Sequence, residues 1–289
     1  MWFIYALLGA IGKSYSGFFR KKIAQSVSGS MYIWIGYTLI LLVMTPFMIP
    51  QVSEVIDSLA RFPLVIFGAA LSYMVATQLN LEALKREDLS YTAPLNAFVP
   101  IFTLAIAIPF LGETPPKFGL LGVGIVVAGA YIVSIKPERI HWYDPLRRLL
   151  TSTGAQLSLG VALCYAINTV LMKVLTNNDF NAFVVLYVTT LVGWMLLIHV
   201  PISRRSEFKA IKGADKLAVL GGSLGSFAGS FFHILALSQT YTSYATAVRR
   251  LDSVISVLLG WRLLKEKSIR VKLIGSIVMT VGAIVTLFS

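Results

Sequence analysis

The sequence predicts an all-α integral membrane protein of ten transmembrane helices, arranged as two inverted five-helix repeats. Three observations carry this expectation: an apolar composition, ten apolar runs of spanning length, and an internal repeat that contains an odd number of those runs. Of the 289 residues, 56% are hydrophobic and 13% charged, with a mean hydropathy of +0.77. That exceeds what a soluble domain of this length can hide in its own core, so lipid is the expected solvent.

A spanning helix takes about 20 predominantly apolar residues. Runs of that kind lie at about 2–19, 30–49, 62–83, 89–111, 117–135, 154–172, 181–200, 217–238, 242–261 and 270–288, read against the bilayer thickness. The longest connections, 136–153 and 201–216, are too short to fold a core of their own. Function is therefore expected within the bundle. The first run has no basic stretch ahead of it and leads into further runs, so it is expected to stay as a permanent span and not to be a cleaved signal. Cys164 is the only cysteine, which excludes a disulfide within one chain and a cysteine-rich metal site. No cofactor is expected.

The formal charge of +12 would suit nucleic acid, but the basic residues gather at span ends, where water can hydrate them. Arg20, Lys21 and Lys22 follow the first run, and further Lys and Arg follow the third, fifth, seventh and ninth; the opposite side holds only Arg61, Lys117 and Lys173. The positive-inside rule then makes the richer side cytoplasmic and both termini non-cytoplasmic, in a multi-pass protein of the plasma membrane. The bilayer, and not nucleic acid, is the implied partner.

Taken in order, the runs carry a small set of anomalies. The first contains Lys13 and Tyr15 within Gly-Lys-Ser-Tyr-Ser-Gly. The third spaces Gly68, Ser72 and Ala76 four apart and adds Gln78; the eighth spaces Gly221, Gly225 and Gly229 likewise and adds His233. Small residues on one face let membrane helices approach closely, either as static packing or as a sliding contact between moving halves. The fourth run carries Pro94, Pro100 and Pro109, each of which removes a backbone donor, so a kink or break is expected. Freed carbonyls are tolerated where they face protein or a wet cavity, which makes Asn96 a candidate pocket residue. The ninth run places Arg249, Arg250 and Asp252 near the middle of an otherwise apolar helix. Each charge there costs roughly 2.5–3.5 kcal/mol on insertion scales, so they should face the bundle interior. Arg249 and Asp252 are three apart and are expected to pair on one face, with Arg250 pointing elsewhere. Gln78, His233 and Asn168 are lone polar groups for which interhelical hydrogen bonding is the default; His233 is also where a coupling proton would reside.

An offset of 153 residues superposes Ala83 on Ala236, Leu84 on Leu237, Ser90 on Ser243, Tyr91 on Tyr244, Glu113 on Glu266, Gly122 on Gly275 and Gly129 on Gly282. Five spans per copy is an odd number, so the second copy must enter the membrane in the reverse direction. The halves are expected at 1–135 and 154–289, joined by a basic linker at 136–153. Inverted repeats recur in secondary transporters, with the solute held where the halves meet. The candidate site is Lys13, Tyr15, Gln78, Asn96, His233, Arg249, Arg250 and Asp252, a set suited to an anionic or carboxylate-bearing solute. The competing reading makes Lys13, Arg249 and Asp252 a buried ion-pair network locking the first helix to the ninth. Glu113 and Glu266 read as structural residues at span ends.

These residues resemble the EamA domain of the drug/metabolite transporter superfamily. The resemblance is carried by ALKREDLSYTAPLNAFVPIFTLAIAIPFLGETPPKFGLLGVGIVVAGAYIV and by its second copy, which keeps Glu266, Gly275 and Gly282. It implies a ten-helix carrier that moves amino acids, nucleotides, sugars or other metabolites by alternating access, often as an exporter. Two departures stand out: Ser253 replaces the proline that Pro100 provides in the first copy, and Arg249 and Arg250 are not general features of the superfamily. Such carriers are often drawn with cytoplasmic termini, against the charge distribution here. An enzyme is disfavoured, because no HExxH, GxSxG or P-loop pattern is present. A channel and a lipid-phosphate flippase of the same fold remain as alternatives, and monomer and homodimer are both open.

Overall fold

A computed structural model describes residues 1–87, 95, 98–134, 152–211, 213–264 and 269–288. Its helices are α1 (Trp2–Ile23), α2 (Gly29–Met48), α3 (Val52–Arg61), α4 (Pro63–Arg86), α5 (Val99–Leu111), α6 (Lys117–Ser134), α7 (Thr153–Asn177), α8 (Ala182–Leu196), the short α9 (Val200–Ser203) and α10 (Arg205–Ala210), α11 (Gly213–Leu237), α12 (Thr242–Arg249), α13 (Asp252–Leu264) and α14 (Ile269–Leu287). The stretches Gly29–Arg61, Pro63–Arg86, Thr153–Asn177 and Asp215–Leu237 are long and apolar enough to cross a membrane; Val99–Leu111, Lys117–Gly129, Ala182–Leu196 and Leu273–Thr286 are shorter apolar helices. Leu42, Phe47, Leu64, Phe110 and Ile277 face outward, as lipid-facing side chains do in a multi-pass membrane protein.

Local chemistry sets the helix ends. Ser28 accepts from the Met31 amide and Ser152 from that of Ala155, each satisfying an orphan donor of a first turn. Gly112 ends α5 at φ +65°, a conformation open to glycine without cost. Pro100 lies in the first turn of α5, where its missing donor breaks no helical bond, and Pro109 lies in the helix near its end.

Three large helix interfaces hold the bundle: α1 on α11, α4 on α7, and α6 on α14. The first and third depend on glycine. A Cβ on Gly12 would lie 2.6 Å from the Gly229 nitrogen, and one on Gly225 2.8 Å from the Gly12 oxygen. A Cβ on Gly129 would lie 2.7 Å from the Gly275 oxygen, and one on Gly122 2.8 Å from the Gly282 oxygen. Residue numbers along α6 therefore rise as those facing them on α14 fall, so the two helices run antiparallel.

The ninth apolar run is not one helix. It breaks at Arg250 and Leu251, where the amides of Arg250, Leu251 and Ser253 each bond three residues back. At the start of α13 the Asp252 carbonyl accepts from the Ser14 hydroxyl of α1 at 2.8 Å. Charge agrees with the break: Arg249 ends α12 and Asp252 begins α13, the signs that the two helix dipoles favour.

Three basic residues depart from the expectation of hydrated loop charges. Arg20 is only 1% exposed. Lys173 is buried and donates to the carbonyls of Leu237 and Thr240 at 2.6 and 3.0 Å, closing the C-terminus of α11. Lys21 does the same for α4, donating to the carbonyls of Leu84 and Glu87 at 2.7 Å each. The last turn of a helix offers unsatisfied carbonyls and negative dipole potential, which a flexible ammonium can reach.

Candidate functional site

A cavity between α1, α2, α4, α7, α8, α11 and α12 contains about 780 Å³ of space free of protein atoms, its mouth included. One wall is aromatic: Tyr32 and Tyr37 of α2, Tyr73 of α4, Tyr165 of α7 and Phe227 of α11. The Tyr37 and Tyr73 rings stack with centroids 6.4 Å apart, and Tyr73 meets Tyr165 at 6.0 Å. Hydroxyls of Thr77, Thr189, Thr190 and Ser223 add polar surface, yet each already donates to a carbonyl of its own helix. That local bonding leaves their lone pairs as the free function.

Two guanidinium groups reach this cavity, Arg20 from α1 and Arg249 from α12. Arg20 donates to Ser226 Oγ at 2.9 Å and, at 3.4 Å each, to the hydroxyls of Tyr32 and Tyr165 and to Asn80 Oδ1. All four acceptors are neutral, so they orient the guanidinium without cancelling its charge. Arg249 is 8% exposed, and among the described residues its Nε is buried with no hydrogen-bond partner; the same holds for both ring nitrogens of His233. Buried polar atoms without partners are uncommon, and each calls for water, an ion or a ligand to satisfy it, or for strain to explain it. Among the described residues, no carboxylate lines the cavity.

The expected site residues separate into three groups. Arg249 and His233 line the cavity. Lys13 is buried behind it, donating to the Tyr165 hydroxyl at 2.5 Å. Arg250, 2% exposed, and Asp252 are buried beside it with Arg250 Nη1 4.0 Å from Asp252 Oδ2. The expected pairing of Arg249 with Asp252 is thus corrected: it assumed a continuous helix, and the break between them turns Asp252 toward Arg250. Tyr15 is 49% exposed on the outer face of α1, away from the cavity. Gln78 packs against Gly29, whose added Cβ would lie 3.2 Å from the Gln78 Cα, and does not line the cavity. Asn96 lies outside the described residues.

Arg20 and the tyrosines escaped the sequence reading. Arg20 follows Lys13 by two helical turns, with Gly9, Gly12 and Ser16 on nearby positions of the same helix. That spacing is the signal that would have placed it inside rather than at the membrane surface.

Glu113, expected as a structural span end, accepts from the Thr242 amide at 3.1 and 2.9 Å and from its hydroxyl at 2.5 Å. It caps the start of α12 and so holds the helix that carries Arg249.

A helical membrane bundle that encloses a polar, partly aromatic cavity lined by buried cations has the construction of a solute carrier. The chain belongs to the EamA-like transporter family, whose profile matches residues 1–135 and again residues 152–288; this is a family of the drug/metabolite transporter superfamily. A solved structure described only as the crystal structure of a protein is similar in fold, with a TM-score of 0.70 over 98% of this chain and 96% of that chain at 14% identity. No protein of curated function matches the chain in sequence.

Proposed function

We propose that this protein is a secondary transporter that carries a small anionic metabolite through the central cavity by alternating access. The observation that carries the reading is the joint presence of Arg20 and Arg249 in one cavity whose described lining holds no carboxylate. Guanidinium groups remain protonated throughout the physiological range. With no acid in the described lining beside them, they make an incoming anion favourable.

The ten-span, two-half architecture belongs to the same proposal, with halves at 1–135 and 154–289. It is supported by contacts that recur under exchange of the halves. Gly122 meets Gly282 as Gly129 meets Gly275, and these are repeat equivalents. Lys21 reaches Leu84 as Lys173 reaches Leu237, and an added Cβ on Gly68 would touch Leu171 as one on Gly221 would touch Phe19. Exchange of the halves maps each contact onto its partner, which is the symmetry that lets one site open to either side in turn. The broken run α12–α13 supports the same reading, since discontinuous helices in carriers present their ends to the solute.

The test is uptake of radiolabelled organic anions into proteoliposomes by wild type and Arg249→Gln. Saturable uptake that the variant lowers by at least about tenfold, with the variant still monodisperse, is expected from the loss of one charged contact. Equal uptake by both would contradict the assignment.

A further inference from the structure

We infer that the solute is a dianion, its two charges held by Arg20 and Arg249; the inference rests on the carrier reading above and specifies its substrate class. The argument is one of charge. Four basic side chains are buried in this part of the bundle, Lys13, Arg20, Arg249 and Arg250, together with the acid Asp252. Asp252 lies 4.0 Å from Arg250 and also faces Arg249 electrostatically, so this one acid offsets a single charge and leaves the described basic side chains in excess. Among the described residues Arg20 donates to neutral oxygens alone, those of Tyr32, Asn80, Tyr165 and Ser226. The Nε of Arg249 has no partner among the described residues. Neither arginine can escape its charge by deprotonation.

A monoanion would satisfy one guanidinium and leave the other uncompensated. A zwitterionic amino acid would be poorer still, since its ammonium would find no acid among the described lining residues and would meet two like charges. A dianion balances both. The arginines come from different helices, α1 and α12, and the surface between them is aromatic and hydroxylic, suited to an uncharged spacer. Two carboxylates at the ends of a short chain and a single phosphoryl group both provide the required charge.

Titration calorimetry on the detergent-solubilised full chain with succinate, methyl phosphate, butyrate and alanine separates these possibilities. At least one dianion should bind about tenfold or more tightly than butyrate and alanine, a factor that one added charged contact readily supplies. Succinate ahead of methyl phosphate identifies a dicarboxylate site, and the reverse identifies a phosphoryl site. Arg20→Lys should keep the preference and Arg20→Gln should abolish it, which separates charge from folding. Butyrate or alanine binding as tightly as both dianions would overturn the dianion assignment and leave the anion carrier standing. Failure of every anion to bind would overturn both.

Discussion

Lys13 of α1 donates to the hydroxyl of the cavity residue Tyr165 of α7 at 2.5 Å, joining the two segments that the family profile matches. The lysine and the tyrosine are 152 residues apart in the chain. Tyr165 also accepts from Arg20, and its hydroxyl therefore links a buried ammonium to a cavity guanidinium. Tyr165→Phe removes that acceptor and leaves Lys13 with less compensation, for an expected loss of about 1–3 kcal/mol. Thermal unfolding of Tyr165→Phe, Lys13→Met and the double variant checks the coupling: the double should cost less than the sum of the singles. Strict additivity would separate the two residues.

The α1–α11 contact predicts a steric result. Gly12→Ala places a Cβ 2.6 Å from the Gly229 backbone nitrogen, which neither helix can relieve without moving apart. Overpacking of this kind costs about 1–3 kcal/mol. Gly124→Ala is the matched control, because its added Cβ meets nothing within 4 Å. Detergent melting curves should show Gly12→Ala clearly destabilised and Gly124→Ala unchanged or slightly improved.

Glu113 links the end of α5 to the beginning of α12. Glu113→Gln retains the shape but loses the charge that strengthens three bonds from Thr242. The expected loss is about 1 kcal/mol in stability, together with weaker anion uptake because α12 positions Arg249. Faster hydrogen exchange at the first amides of α12 is the specific signature. Loss of uptake with unchanged exchange would place Glu113 in a different role.

Removing Arg20 and Lys173 from the hydrated charges leaves the Lys and Arg bias on the same side, so the termini are predicted to lie outside the cytoplasm. Alkaline phosphatase fused after Ser289 should be active and green fluorescent protein at the same point dark. The opposite pattern would reverse the orientation.

The helical class and the membrane were legible because apolar run length is a direct consequence of bilayer thickness. The close α6–α14 contact was foreshadowed by Gly122, Gly129, Gly275 and Gly282, because backbone approach tolerates few side chains. The break in the ninth run was not, since it contains no proline; the Ser14 hydroxyl that meets it comes from another helix, and such a contact has no local signature. Arg20 was misplaced for a related reason. A basic residue beside Lys21 and Lys22 reads as a membrane-surface charge, and only the neutral acceptors supplied by α2, α4, α7 and α11 draw it inward. Tyr15 was the converse case: its position in a polar motif suggested the site, but helical geometry turns it to the outside.

The central claim is that one anion-binding cavity opens alternately to both sides of the membrane. Thr190 lines that cavity and bonds its own helix, so Thr190→Cys in a Cys164→Ser background reports access without removing a charge. The most direct measurement is labelling of this cysteine in proteoliposomes by a membrane-impermeant sulfonate thiol reagent supplied from either side, with and without a transported anion. Labelling from both sides, slowed by the anion, is the predicted result; labelling from one side only, at a rate the anion does not change, would contradict the account.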